Sequence, residues 1–531
     1  MRRSLRVLVL TTVALTLLAG IAGAQAPGDQ ISKMEKLFTS PNMATNSDLA
    51  FWGDHAFVGY YTGDAGVPAG TGSRGGVRIF DISNPAAPVL LKDLKCDATQ
   101  NDPIVWDRNG NGIADLMLVA VDRTMASSEC GAPRVPSGTT TGWEGVRVFE
   151  MSDKRRNPFE TIEQVAAVYS DCGAHTITLW PGEVGKGKGK GKANLRGGGK
   201  NMGKGKLIVY VSSYPLAPGP TCGQVNGPAA GRSPEHGVIQ IIEVPLDDPS
   251  KAREIAEAPI NYPGDPDNRI EWCERGLCGL EPSARACHDI VVHVAERMAG
   301  AACAEQGQVW RIGKGGIPDT ANPIMIGDDE FSSGGTGDIP GAVDFFHSVM
   351  FSNDGTVVNW VDESFGTGCP TMTNWQARPW HPAATQKTGK MFFSDMETGD
   401  FLSEFHVGDV RPSTAAGEYC SAHMGMAVMG IKKDLLVNAW YTGGVDVIDF
   451  TDPTDLEEIA FFDPLVNTGT WSAYPYTGPM FRNRPGGGVP VYATDGVTNN
   501  LLAQGLVMYK AFIDEPKNRD RVDHLNPQTM D

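Results

Sequence analysis

A chain of 531 residues, 41% hydrophobic and 20% charged, is long enough to bury one large core or several smaller ones. Its formal net charge is -18, from 45 Lys and Arg against 63 Asp and Glu. That balance excludes nucleic acid and anionic lipid as expected partners, and after the N-terminus no apolar run is long enough to span a bilayer.

Residues 1–24 read as a secretory signal. Arg2, Arg3 and Arg6 form its basic start, residues 7–18 its apolar core, and Ala22, Gly23 and Ala24 a small-residue cleavage site, with cleavage expected after Ala24. The Arg2-Arg3 pair also permits a twin-arginine route, although its flanking residues match that signal poorly. Removing the segment takes the net charge to about -21. The mature chain is expected to be secreted or to reside in the periplasm or cell envelope. Residues 25–42 read as an N-terminal segment, 43–512 as the folded body, and 513–531 as a polar tail expected to fray.

Within the body one sentence recurs. Residues 75–88 read GGVRIFDISNPAAP, 145–158 GVRVFEMSDKRRNP, 237–249 GVIQIIEVPLDDP and 444–453 GVDVIDFTDP. Alternating β-branched and aromatic residues predict a strand, and the Pro that follows predicts its stop. Seven units can be marked in chain order. They start near Ser47 and Asp48, at Ile104, at His175, at His288, at His347, at His423, and with residues 489–495. Most show three strands, and a weaker fourth fits after the Pro turn. A unit that cannot bury its own faces must stack on its neighbours, so the expected fold is all-β, a seven-bladed β-propeller of four-stranded blades. Inserted loops absorb the uneven spacing. The clearest, residues 185–206, is basic and Gly-rich, and reads either as a patch for an acidic polymer or as a solvated hairpin tip.

The repeated G-V-x-[IV]-[FI]-D-[IFV]-[ST]-[ND]-P pattern resembles the LVIVD-repeat family of exported proteins. The match is clearest at residues 76–85 and 444–453 and spans roughly residues 43–512. The resemblance implies a seven-bladed propeller and export. It carries over no catalytic residue.

The residue opening the first strand is histidine in units three to six: His175, His288, His347 and His423. First strands line a propeller's channel, so four imidazoles are expected to face one axis, where they suit copper, iron or zinc. Asp48, Asp102 and Trp471 stand near the equivalent place in the other units, and Asp289 and Ser348 could orient the rings. The competing reading makes these residues hydrogen-bonding partners of neighbouring blades. Residues 107–115, DRNGNGIAD, place Asp107, Asn109, Asn111 and Asp115 with the spacing of a calcium loop. Position twelve is Leu118, so the alternatives are a calcium-stapled hairpin and an Asn-Gly turn without an ion.

Ten cysteines in an exported chain predict disulfides. The expected pairs are Cys96 with Cys130, Cys172 with Cys222, and Cys287 with Cys303, leaving Cys273 with Cys278 and Cys369 with Cys420. A zinc ribbon at Cys273 and Cys278 is the alternative there. Trp360, Trp375 and Trp380 read as packing beneath a loop or as a stacking platform. No nucleophile elbow or phosphate-binding loop is visible. Three function classes remain. The first is a binding protein using the histidine-lined channel toward a small molecule or an envelope partner. The others are a copper- or iron-dependent oxidoreductase and a structural or adhesive surface protein.

Overall fold

In the computed structural model the described residues are 21–22, 29–40, 46–60, 75–98, 100–132, 142–170, 172–184, 203–213, 237–261, 286–303, 306–326, 346–363, 389–411, 420–464, 469–478, 488–495, 505–513 and 522–530. Seven sheets form, one for each expected unit. Blade one runs outward through Asn46–Trp52, His55–Tyr60, Gly76–Asp81 and Val89–Lys95. Blade two takes Gln100–Trp106, Leu116–Ala126, Trp143–Met151 and Ile162–Tyr169; blade three takes Thr176–Trp180, Lys206–Ser212, Val238–Pro245 and Arg253–Pro259. Blade four takes Asp289–His293, Met298–Cys303, Gln306–Arg311 and Ile324–Ile326; blade five takes Phe346–Phe351, Val357–Asp362, Met391–Asp395 and Phe401–Phe405. Blade six takes Gly425–Ala427, Leu435–Ala439, Val445–Asp449 and Glu457–Asp463. Each inner strand touches the next, and that of blade seven, Thr470–Pro475, touches that of blade one. The ring is closed, and the fold is a seven-bladed β-propeller of four-stranded blades.

The repeated sentence is the third strand of blades one, two, three and six. In blades one, two and six its opening glycine is required by a close approach, whereas Gly237 in blade three has open space around it. A Cβ at Gly76, Gly145 or Gly444 would stand 2.0, 2.2 or 2.1 Å from the carbonyl oxygen of Leu94, Val168 or Phe462 on the fourth strand. Its acid caps the turn: Asp81 accepts the N–H of Ser83 at 2.8 Å, and Asp449 accepts that of Thr451 at 3.1 Å. The fourth strands are half-exposed and mix apolar with charged residues, as in VLLKDLK and REIAEAP, which is why their sequence signal is weak.

Both chain ends depart from expectation. Met34–Thr39, inside the segment read as preceding the propeller, pairs antiparallel with Leu506–Ala511 and supplies the fourth strand of blade seven. The first and last parts of the chain thus share one sheet. Gln30–Ser32 adds an outer strand to blade six, and Ile21–Ala22 lies against Phe38 and Thr39. Residues 522–530 do not fray. His524–Leu525 pairs with the inner strand of blade one, and Thr529–Met530 pairs in parallel with that of blade four. Between them Asn526 makes two hydrogen bonds with the backbone of Val105 on blade two, and Thr529 donates to the Leu179 carbonyl on blade three. The tail is a buried strap across one end of the channel.

Blade four hid a strand from sequence reading. Met298–Cys303, MAGAAC, has little β propensity, but its small residues admit the neighbouring blade: a Cβ at Gly300 would stand 2.8 Å from Cγ2 of Val349. Trp360 is buried within blade five and donates to Ser394 Oγ at 2.9 Å; Trp375 and Trp380 lie outside the described residues, as does most of the basic 185–206 insertion.

Disulfides join Cys96 to Cys130 and Cys287 to Cys303. Cys172 and Cys420 are also disulfide-bonded; Cys222, Cys273, Cys278 and Cys369 lie outside the described residues. No helix among the described residues is long and apolar enough to cross a membrane.

Candidate functional site

The inner strands do not run regularly into the channel. In blade five the pairing register shifts between Phe346 and Ser348, so His347 is an extra residue outside the strand register; in blade seven the same happens at Trp471. Ser47 and Asp48 interrupt blade one, and Asn101 and Asp102 interrupt blade two, where Gln100 and Asn101 take left-handed φ angles of 65° and 60°. A bulge re-aims a side chain away from the blade-to-blade alternation, and strained backbone is held here by the closed ring around it. His175, His288 and His423 stand just ahead of their strands. A disulfide-bonded cysteine lies close before each: Cys172, Cys287 and Cys420. The covalent links therefore brace the channel mouth.

All four expected histidines come together. Their rings follow one another around the channel, with centroids 4.3 Å apart for His175 and His288, 3.8 Å for His288 and His347, and 4.1 Å for His347 and His423. Trp471 continues the row, 4.4 Å from His423. The four differ in what their nitrogens face. His175 lies between Gln100, whose Nε2 is 2.9 Å from its Nε2, and Asp122, whose Oδ2 is 3.3 Å from its Nδ1. His288 donates from Nδ1 to the His347 carbonyl at 3.0 Å.

His347 and His423 converge on a carboxylate that sequence reading missed. Glu363 follows the second strand of blade five and is buried, with Oε2 3.5 Å from His347 Nε2 and Oε1 3.7 Å from His423 Nε2. The Tyr441 hydroxyl donates to the same carboxylate. One ligating atom from each of His347, Glu363 and His423 lies within 4.8 Å of the others. A signal did exist: an acid pair, Asp362 and Glu363, stands at the end of a strand that is apolar but for Asn359.

The electrostatics favour the neutral form of His288, His347 and His423. Burial, reinforced by the neighbouring imidazoles, pushes His288 and His347 well below the usual histidine range, and burial brings His423 down to about 3. Neutral imidazoles present lone pairs, and two of them with one carboxylate form a donor set suited to copper, iron or zinc.

The Asp107 hairpin is well bonded by the protein itself. The Asp107 carboxylate accepts the N–H groups of Asn109, Gly110 and Gly112 at 3.2, 2.7 and 2.7 Å. Asp115 accepts the Arg108 N–H at 2.9 Å and pairs with its guanidinium at 3.2 Å. Asn109 and Asn111 both donate to Asp153, a carboxylate brought in from the turn after Trp143–Met151.

No family model matches this chain, and no curated protein matches it. Among solved structures, one described as "Structure of Dos1 propeller" aligns with 91% of this chain and 96% of its own, at 10% identity and a TM-score of 0.43.

Proposed function

We propose that the protein is an exported binding propeller of the LVIVD-repeat type whose channel mouth takes up a transition metal, copper, iron or zinc. The observation that carries this reading is the convergence of His347 Nε2, His423 Nε2 and a Glu363 oxygen within 4.8 Å. His423 Nε2 is buried, has no hydrogen-bond partner and stands 3.7 Å from Glu363. An unsatisfied buried acceptor is costly, and a metal ion removes that cost. A metal held there would supply Lewis-acid or redox chemistry. The chain's own contribution is to keep the imidazoles neutral, hold the carboxylate through Tyr441, and close the far end of the channel with the 522–530 strap. Export is supported by the N-terminal leader pattern and by the disulfides.

The test is elemental analysis of protein purified through its own export route, alongside a His347→Ala/His423→Ala double variant. Stoichiometric copper, iron or zinc in the wild type, lost in a folded double variant, is the expected result. Metal-free wild-type protein that also takes up none of the three ions when supplied would overturn the reading.

A further inference from the structure

The disulfide between Cys96 and Cys130 sits against a buried cation. Cys96 follows the fourth strand of blade one, and Cys130 stands in the turn after the second strand of blade two. Arg147, on the third strand of blade two and 1% exposed, donates from Nη1 to Cys96 Sγ at 2.9 Å. Its Nη2 donates to the carbonyls of Asp97 and Ser127 at 3.2 and 2.5 Å, and its Nε is buried with no acceptor. Asp97 is the acid that acts on this guanidinium, yet it bonds Arg147 through its backbone and not through its carboxylate. Burial brings Arg147 down only to about 10, so the group is charged at neutral pH.

The repeat places an arginine at the same position of blade one, where Arg78 lies over the Tyr60 ring at 3.9 Å and donates to Asn46 at 3.3 Å. In blade two the guanidinium meets a sulfur instead. The two sulfurs of that link differ in access, since Cys96 is 1% exposed and Cys130 is half-buried. Gln164, on the fourth strand of blade two, accepts the Cys130 N–H at 2.8 Å and donates to the Ser128 carbonyl at 2.7 Å. These bonds hold the turn in place whether or not the disulfide is made. Cys287 and Cys303 are the opposite case. Both are at most 1% exposed, and among the described residues no ion pair or hydrogen bond reaches either sulfur.

We propose that Cys96–Cys130 is a thiol-exchange site, reduced and re-formed in the folded protein by small thiols, with Arg147 stabilising the sulfur that leaves. A thiolate of the reductant attacks Sγ of Cys130, the accessible sulfur, and a mixed disulfide forms there. The bond to Cys96 breaks, and its electron pair leaves on Cys96 Sγ as a thiolate beside the guanidinium. A second thiolate attacks the reductant's sulfur in the mixed disulfide and displaces Cys130, which takes up a proton. Two small thiols are thereby oxidised to one disulfide, and the protein disulfide gains two electrons. A leaving sulfur of lower pKa departs faster, and an adjacent cation lowers that pKa. This proposal does not depend on the transition-metal reading.

The experiment exposes the oxidised full-length protein, purified through its export route, to reduced glutathione in native buffer with chelator. Differential alkylation and peptide mass spectrometry then follow each cysteine pair in time. Cys96–Cys130 should open while the far-UV circular dichroism is unchanged, and about tenfold or more faster than Cys287–Cys303. The trapped mixed disulfide should carry glutathione on Cys130, and oxidised glutathione should restore the link. Arg147→Gln should slow the opening by about tenfold, and Arg147→Lys, which keeps a positive charge, should recover part of the rate. A merely structural arginine predicts the reverse, since loosening the site would speed the opening. If Arg147→Gln does not fold, Arg147→Lys and the position of the trapped glutathione still decide. Equal rates for the two pairs, opening only in denaturant, or glutathione trapped on Cys96 would overturn the proposal. So would a folded Arg147→Gln variant that opens as fast as the wild type, or Arg147→Lys no faster than Arg147→Gln.

Discussion

The Nδ1–H of His423 donates to the backbone carbonyl of Trp471 at 2.5 Å. A carbonyl only accepts, so this contact sets the tautomer and leaves the lone pair on Nε2, the atom that faces Glu363. The neighbouring blade thereby prepares the ring as a ligand. Tyr441 does the corresponding work for the carboxylate. Glu363→Gln should therefore lower metal occupancy more than Tyr441→Phe, and Tyr441→Phe should weaken metal affinity about 10- to 100-fold while the fold persists. Competition with a chromogenic chelator measures both; wild-type affinity in Glu363→Gln would remove Glu363 from the site.

Acid should weaken the metal-free protein through its buried histidines. Their folded pKa values are lowered, that of His423 to about 3, against about 6.5 in the unfolded chain. Above pH 6.5 neither state is protonated and no penalty exists. As pH falls below 6.5 the unfolded state takes up protons that the folded state refuses, and stability is lost at up to about 1.4 kcal/mol per pH unit for each histidine. Buried acids such as Asp463, raised to about 6 chiefly by burial, act in the opposite sense as they protonate. The comparison that isolates the imidazole is wild type against His423→Gln in urea at pH 7 and pH 5, where the variant should show the shallower decline. Equal declines would mean that His423 titrates normally.

Asn526→Ala should destabilise the propeller although the residue lies in a terminal tail. Its side chain accepts from the Val105 N–H at 2.7 Å and donates to the Val105 carbonyl at 2.9 Å, and its loss strands both groups inside the channel. The cost is about 1–3 kcal/mol for each group left unpaired. Leu525→Ala, which truncates a fully buried side chain, should cost about 2–5 kcal/mol. Urea melts within 0.5 kcal/mol of wild type would show that the strap is not seated in solution.

Gly444→Ala tests the repeat sentence itself. The added methyl would meet the Phe462 carbonyl oxygen at 2.1 Å, and φ is 77°. The backbone conformation alone costs about 1–3 kcal/mol in a residue with a side chain, and the clash adds to it. Ala in place of Gly112, which has open space around it although φ is 89°, should cost less. The reverse order would mean that close packing between third and fourth strands does not select the glycine.

Calcium at the Asp107 hairpin remains a proposal with its own test. Asp115 is paired with Arg108, but Asp153 brings a replacement carboxylate against Asn109 and Asn111. Chelation should lower the melting temperature of the His347→Ala/His423→Ala variant, in which the histidine centre is disabled, and Asp153→Asn should abolish that shift. A chelator-insensitive His347→Ala/His423→Ala variant would leave the hairpin as a turn held by its own hydrogen bonds.

The sequence announced the blades wherever a strand was apolar and alternating, because burial against two neighbours demands that pattern. It was silent at MAGAAC, where blade-to-blade distance favours small residues over β-formers. It was silent also at Glu363, since an acid at a strand end looks like any solvated turn until Tyr441, His347 and His423 are packed around it.

Taken by itself, the sequence determined the blade count, the repeated third strand and the histidines that open four inner strands, since each is a local pattern that chain periodicity forces into view. Tertiary structure alone decided how the ring closes, with Met34–Thr39 completing blade seven, and where the tail ends, across the channel from blade one to blade four. It also decided which histidines share a carboxylate and which are tied up by Gln100, Asp122 or a carbonyl. Those outcomes depend on contacts between residues from tens to hundreds of positions apart, and on bulges that turn a side chain toward the axis, for which no local pattern exists.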